Sequence, residues 1–131
     1  MSFRGYHGLT VWNRAVDLVE MVYRLTDTLQ SEAAPEILAD MRRAALAVPS
    51  HLAAGYKTDD THEYLRHIHA AQLTVTRLDS QMTILERLEW AQVEDINQLQ
   101  SLLTHLDHLL GCLERYLSGH SNEFEPKPPA A

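Results

Sequence analysis

The sequence is poor in cysteine, glycine and proline. Its 131 residues include one cysteine, five glycines and five prolines. The single cysteine, Cys112, excludes an internal disulfide and indicates a reducing compartment, so we expect the cytoplasm. Three of the prolines, Pro126, Pro128 and Pro129, lie in the last six residues. The body of the chain therefore has few of the turn residues that many short strands would require.

Long apolar runs and basic residues are also scarce. No stretch reaches about 18 consecutive apolar residues, and the segment from Met1 to His7 has no apolar run behind its positive charge. We expect a chain that is neither exported nor inserted in a membrane. Eleven Lys and Arg face 18 Asp and Glu, which gives a net charge of −7. The average field of the monomer therefore repels a phosphate backbone.

The residues that are present favour helices. Hydrophobic residues make up 45% of the chain and charged residues 22%, as in ordinary globular domains, and four segments repeat apolar residues with a helical period. The clearest seams are Tyr64, Ile68, Ala71, Val75, Leu78, Met82, Leu85 in the third segment and Ile96, Leu99, Leu103, Leu106, Leu110, Leu113, Leu117 in the fourth. The pattern predicts an all-α fold, an up-down antiparallel four-helix bundle, in one domain over residues 1–119 followed by a flexible tail, 120–131.

Capping residues indicate where these helices begin and end. Thr10 is the predicted N-cap of the first helix, and Pro35 suits the first turn of the second. Asp59, Asp60 and Thr61 supply capping side chains for the third helix, and Gly119 is a natural stop for the fourth. Pro49 falls inside the second helix, where it predicts a kink or a short interruption.

Three of the four helices carry more apolar surface than one bundle core requires. A core-facing helix needs about three-sevenths of its positions apolar, and the first, second and fourth exceed this, the middle of the second being apolar all round. We expect the second helix to be the most enclosed. Large exposed apolar patches are rare on monomers, so the surplus predicts a homo-oligomer. The candidate interface residues are Trp12, Tyr23, Leu102, Leu109 and Tyr116.

No catalytic signature is present. The chain has no nucleophile elbow, Gly-rich phosphate loop, Cys-x-x-Cys pair or Glu-x-x-His pair, so we expect neither an enzyme nor a cofactor. His105, His108 and Cys112 share one side of the fourth helix, but the outer two are about 10 Å apart along its axis and cannot bind one ion together. A metal site there would need ligands from elsewhere, and surface or interface positions are the simpler interpretation.

A nucleic-acid surface is the alternative to a purely apolar one. Arg42, Arg43, Lys57, Arg66 and Arg77 could bind phosphates of RNA or DNA once several copies bring them together. Alternatively, Arg42 and Arg43 could pair with Asp40, with Glu36 or with acidic residues of a neighbouring copy. No aromatic residues for base stacking are interleaved with these basic residues, which favours pairing.

Several short motifs occur in the order and spacing of a known family. They are Leu9-Thr10-Val11-Trp12, Val22-Tyr23-Arg24-Leu25-Thr26, Arg42-Arg43-Ala44-Ala45 with Val48-Pro49-Ser50, Ala53-Ala54-Gly55, Glu63-Tyr64-Leu65-Arg66 and Leu78-Asp79-Ser80-Gln81-Met82. Between about Tyr6 and Leu117 the chain resembles the four-helix-bundle proteins also called 23S rRNA intervening-sequence proteins. The resemblance implies an up-down bundle that assembles as a ring-shaped homopentamer, without established enzymatic activity, in bacteria. Some relatives are encoded within insertions in 23S rRNA genes, and others resemble a retroelement accessory protein that is thought to bind nucleic acid and a reverse transcriptase.

This chain departs from the family pattern at a few positions. His51 stands where the family usually has Asn, Ala54 where it has Glu, Leu73-Thr74 where it has Gly-Ser, and Arg77 where it has Glu. These departures put any site that used the missing polar groups in doubt. The expected function is a non-enzymatic, pentameric scaffold, and the alternative is a nucleic-acid-binding accessory protein.

Overall fold

The computed structural model describes residues 4–29 and 35–119, and this part of the chain is all-α. It contains a short helix, α1 (Arg4–His7), and four long ones: α2 (Thr10–Thr28), α3 (Pro35–Lys57), α4 (Thr61–Arg87) and α5 (Val93–Ser118). No strand occurs among these residues. The predicted tail, 120–131, lies outside the described residues, and the division into domain and tail stays a prediction.

The hydrophobic core is formed by the seams that the sequence predicts. All seven seam residues of α4, from Tyr64 to Leu85, and all seven of α5, from Ile96 to Leu117, are buried. Helix α2 adds residues such as Leu18 and Val22, and α3 adds residues such as Met41. In chain order each long helix packs against the next, and α5 also packs against α2.

The starts of the helices follow the predictions at α3 and α4 but not at α2. Pro35 is the first residue of α3, and the Asp60 side chain accepts a hydrogen bond from the backbone N–H of His62 at 2.9 Å. The prediction that Thr10 caps α2 is wrong, because Leu9 occupies the N-cap in an extended conformation and makes no side-chain cap. Leu9 is buried in the core, and that burial fixes the chain one residue earlier than a capping threonine would.

One expectation for α3 needs correction. The predicted interruption at Pro49 is absent, because Val48 and Leu52 on either side are fully buried and hold both halves in the core, and the alternative of a kink stays a prediction. The apolar middle of α3 includes an exposed residue, since Leu46 keeps 45% of its surface exposed, and that α3 is the most enclosed helix stays a prediction. Helix α3 turns its buried face towards its neighbours, and Leu46 lies outside that face.

The end of α5 follows the prediction. Gly119 is the C-cap of α5 and adopts a right-handed helical conformation with φ −68°.

None of the helices in the described ranges combines the length and the apolar character needed to cross a lipid bilayer.

Candidate interaction surfaces

The outer side of α4 carries the most exposed apolar residue of the described chain. Leu73 is 73% exposed, and Ile84 and Leu88 are each 47% exposed. These residues, eleven and fifteen positions apart, share one side of a helix with 3.6 residues per turn. Ile84 also lines an apolar groove of about 230 Å³ with Ile37 of α3. We call Leu73, Ile84 and Leu88 the α4 patch.

A second apolar surface lies where α2 meets α3. Tyr23 is 36% exposed, and the guanidinium of Arg42 lies over its ring at 4.8 Å from the centroid. Leu46 follows Arg42 by one helical turn and is exposed as well. Trp12, on the same side of α2 as Tyr23, is partly buried. We call Tyr23 and Leu46 the α2–α3 patch.

The five predicted interface residues differ in how much surface they present. Trp12, Leu102, Leu109 and Tyr116 are partly buried and pack against the core of their own chain, whereas Tyr23 is exposed. The partly buried residues retain surface that a second copy could cover. Their role in an interface stays a prediction.

The α4 patch is absent from the predicted interface because its residues lie off the α4 seam. The sequence does contain a signal for the α4 patch, since Leu73, Ile84 and Leu88 are all large and apolar and lie on one side of the helix. A regular seam on the opposite side dominates the pattern, and three widely spaced residues add little periodicity to it. Exposure in the folded chain is what distinguishes them.

Arg42 of α3 binds two side chains of α2. Its Nε donates a hydrogen bond to the hydroxyl of Thr26 at 2.7 Å, and its Nη2 lies 2.8 Å from Oδ1 of Asp27. Thr26 is fully buried, and its hydroxyl donates a hydrogen bond to the carbonyl of Val22 at 2.8 Å. The guanidinium therefore satisfies a buried hydroxyl and joins α3 to α2.

Asp40 is the acidic partner of two more basic residues. Arg77 binds it from α4, with Nε 3.1 Å from Oδ2, and Arg43 lies 3.6 Å from Oδ1 within α3. Gln81 donates a hydrogen bond to the same carboxylate. Burial alone would raise the pKa of Asp40, but the hydrogen bond and charge of Arg77, with help from Gln81 and Arg43, hold this pKa below its ordinary value.

The remaining basic candidates lie near the connection between α3 and α4. Arg66 forms an ion pair with Glu63, one turn earlier on α4. Lys57 is the exposed last residue of α3. Arg42, Arg43, Arg66 and Arg77 each contact a carboxylate of their own chain. Arg43 contacts Asp40, one of the partners that the pairing interpretation names. Arg42 uses Asp27, an acid of α2 outside its own helix.

The histidine and cysteine residues of α5 are at the surface. His105, His108 and Cys112 are all exposed, with His108 Nε2 3.6 Å from the sulfur of Cys112. Arg115 donates a hydrogen bond to that sulfur at 3.4 Å. Within residues 4–29 and 35–119, no group of three or more His, Cys, Asp or Glu side chains has the geometry of a metal site. Among the described residues, the fold therefore places no further metal ligands around His105, His108 and Cys112.

Helices α3 and α4 approach each other closely at Gly55. A Cβ added there would lie 2.7 Å from Cδ1 of Tyr64, which is closer than real Cβ atoms come, and a tight 3.1 Å from Cβ of His67. One turn earlier on α3, His51 faces His67, with the two Nδ1 atoms 3.0 Å apart. Sequence reasoning noted His51 only as a departure from the family pattern, because nothing in local spacing reveals a contact between two helices.

A polar contact also joins α4 to α5. His69 Nε2 lies 2.9 Å from Oε2 of Glu114, and Gln72 donates to Oε1 at 3.0 Å. These two hydrogen bonds lower the pKa of Glu114. The polar side chains between the helices are therefore mostly used to fix one helix against another.

Comparison with known proteins assigns the chain to a family. No curated protein matches the sequence. The model of one protein family, 23S rRNA-intervening sequence protein, matches residues 7–112, which is most of the chain and includes parts of all five helices of the described structure. The chain belongs to the 23S rRNA-intervening sequence protein family.

Proposed function

We propose that this protein is a non-enzymatic scaffold that assembles with copies of itself into a closed ring. The observation that carries the proposal is the pair of apolar patches that remain exposed after the core has been filled. The subunit of this ring is an up-down antiparallel four-helix bundle, and its number of copies, five, comes from the resemblance to the family.

The order of helix contacts supports the up-down arrangement. As α3 is followed from Asp40 through His51 to Gly55, its contacts on α4 run backwards from Gln81 through His67 to Tyr64. The connections between α3 and α4 and between α4 and α5 span residues 58–60 and 88–92. Such short connections favour antiparallel neighbours. The contact of α5 with α2 then closes the bundle.

The positions of the two patches favour a ring over a two-fold dimer. The α4 patch lies on one helix, and the α2–α3 patch lies at the junction of two others. A dimer with two-fold symmetry buries the same patch on both copies, whereas a ring joins two different patches head to tail. If the α2–α3 patch of each copy covers the α4 patch of the next, every exposed apolar residue of both patches is buried when the ring closes.

The nucleic-acid alternative has weaker support. The four arginines among the basic candidates contact carboxylates, and the chain carries a net charge of −7. Phosphate binding by Arg42 or Arg77 would therefore require breaking contacts that join one helix to another. The proposal accordingly assigns the working surface to apolar side chains, without a catalytic step.

The head-to-tail pairing can be tested by mixing two variants. Leu46→Glu places a charge in the α2–α3 patch, and Ile84→Glu places one in the α4 patch. Each variant alone should be monomeric by light scattering, since burying an unpaired carboxylate at an interface is costly. An equimolar mixture should form dimers, because each variant retains the patch that the other needs. Thr83→Glu, an exposed neighbour on another side of α4, is the matched control and should keep the wild-type mass.

Two outcomes would contradict the proposal. If Ile84→Glu keeps the wild-type mass, the α4 patch is not an interface. If both variants are monomeric but their mixture stays monomeric, the two patches do not pair with each other. Circular dichroism of each variant establishes that the helices are intact before the masses are compared.

A further inference from the structure

Two histidines form a direct contact between α3 and α4. The Nδ1 atoms of His51 and His67 are 3.0 Å apart, and the ring centroids are 5.2 Å apart. Both side chains are half-buried. The nitrogen atoms lie between the two rings, so that each points at the other. This is the geometry of a hydrogen bond between two imidazoles.

Such a bond requires that the two facing nitrogens hold one proton between them. A neutral imidazole has one donor and one acceptor nitrogen, while an imidazolium has two donors. The bond therefore forms when one Nδ1 carries a proton and the other offers its lone pair. When both rings are protonated, two N–H groups and two positive charges face each other at 3.0 Å. The contact then changes from attractive to repulsive.

The surrounding packing holds the two helix backbones close together at this contact. Gly55 lies one turn from His51, and there the space for a Cβ is already occupied by Tyr64 and by the Cβ of His67. The two backbones are thus held close where the rings meet. Rings that repel each other must rotate away into solvent, or the helices must separate.

Among the described residues, His67 supplies the one charge that shifts the pKa of His51. The residues one turn from His51 on α3 are Ala47, Val48, Ala54 and Gly55, which do not titrate. On α4 the residues one turn from His67 are Glu63, Tyr64, Ala70 and Ala71. Burial raises the pKa of the Tyr64 phenol, so it stays neutral while imidazoles titrate. Glu63 is ion-paired with Arg66.

We propose that the His51–His67 pair is an acid-sensitive contact that holds α3 against α4 near neutral pH and releases it when both imidazoles are protonated. A shared proton suits the pair better than a metal ion, because the rings point at each other and the described residues offer no third ligand. This inference is independent of self-association, since both histidines belong to one chain.

The direction of the pH effect follows from the environment of His51. Burial, together with the charge of His67, lowers the pKa of His51 below its ordinary value of 6.5. The unfolded chain then binds more protons than the folded chain below about pH 6.5. The contribution of the pair to stability is complete above that pH and is lost as the pH falls below it.

The test is a pH titration of the histidine side chains by nuclear magnetic resonance. In the wild type, the titration midpoint of His51 should lie below 6.5, because its ring is partly buried and faces the charge of His67. In the His67→Ala variant, the titration midpoint of His51 should rise towards 6.5. The matched control is His105→Ala, which removes an exposed histidine of α5 and should leave the His51 curve unchanged.

A second readout links this titration to the packing of the helices. The urea midpoint of the wild type should fall more steeply than that of His67→Ala when the pH is lowered from about 7.5 to about 5.5. A wild-type His51 midpoint at or above 6.5 would overturn the proposal, and this result needs no variant. It would equally be overturned by a His51 midpoint that His67→Ala does not change.

Discussion

Because α3 and α4 approach each other closely at Gly55, the structure predicts whether a substitution there raises or lowers the free energy of unfolding. In Gly55→Ala, the new methyl carbon would lie 2.7 Å from Cδ1 and 3.1 Å from Cε1 of Tyr64. The ring of Tyr64 is 2% exposed, and so it has no room to move aside. The His67 Cβ at 3.1 Å is fixed to the backbone of α4. Either the helices separate or the side chain of Tyr64 leaves its rotamer.

Two opposing effects set the magnitude for Gly55→Ala. Replacing glycine by alanine inside a helix stabilises it by about 1 kcal/mol. Overpacking of a filled core costs about 1 to 3 kcal/mol, and a contact of 2.7 Å with a buried ring belongs in the upper half of that range. We expect a net loss of about 1 to 2 kcal/mol in the free energy of unfolding.

Gly111→Ala is the matched control because the same methyl group finds space there. Its nearest neighbour would be Nη1 of Arg115 at 3.5 Å, which is ordinary van der Waals contact. This variant should therefore gain up to about 1 kcal/mol from helix propensity. Urea unfolding followed by circular dichroism, at one fixed protein concentration, compares the two variants with the wild type. If Gly55→Ala is stabilised as much as Gly111→Ala, α3 and α4 are further apart than described.

Two further substitutions test individual buried polar groups. Tyr64→Phe should raise the free energy of unfolding by about 1 kcal/mol, because it removes a buried hydroxyl that has no hydrogen-bond partner within the described part of the chain. Thermal unfolding measures this change. A loss of stability would show that the hydroxyl does have a hydrogen-bond partner. Thr26→Val should cost about 1 to 2 kcal/mol, because it leaves Arg42 Nε without its acceptor in a nearly isosteric side chain. The exposed Thr28→Val is its control and should change stability by less than about 0.5 kcal/mol in the same urea experiment.

The sequence predicts the core of this fold well where one regular seam dominates a helix. Every seam residue predicted for α4 and α5 is buried, because a 3.6-residue period places them on one side of each helix. The same logic fails at the start of α2. There the side-chain preference of Thr10 for a cap competes with burial of Leu9, and single-residue propensities do not measure burial.

The candidate surfaces are less predictable, since they depend on how helices face one another. The exposure of Leu46 follows from which side of α3 contacts α2 and α4, and an apolar run of residues does not specify that side. The His51–His67 contact could have been inferred from one further observation. Both residues are eight positions from Asp59, in the centre of the short connection, and an antiparallel helix pair brings such positions opposite each other.

The mass of the wild-type protein in solution tests the central claim most directly. One chain has a mass of 14.9 kDa. Sedimentation equilibrium over about a hundredfold range of micromolar concentrations should give one species of about five times that mass, because a closed ring leaves neither patch exposed. A mass of one chain throughout this range would contradict the proposal that the exposed patches are subunit interfaces.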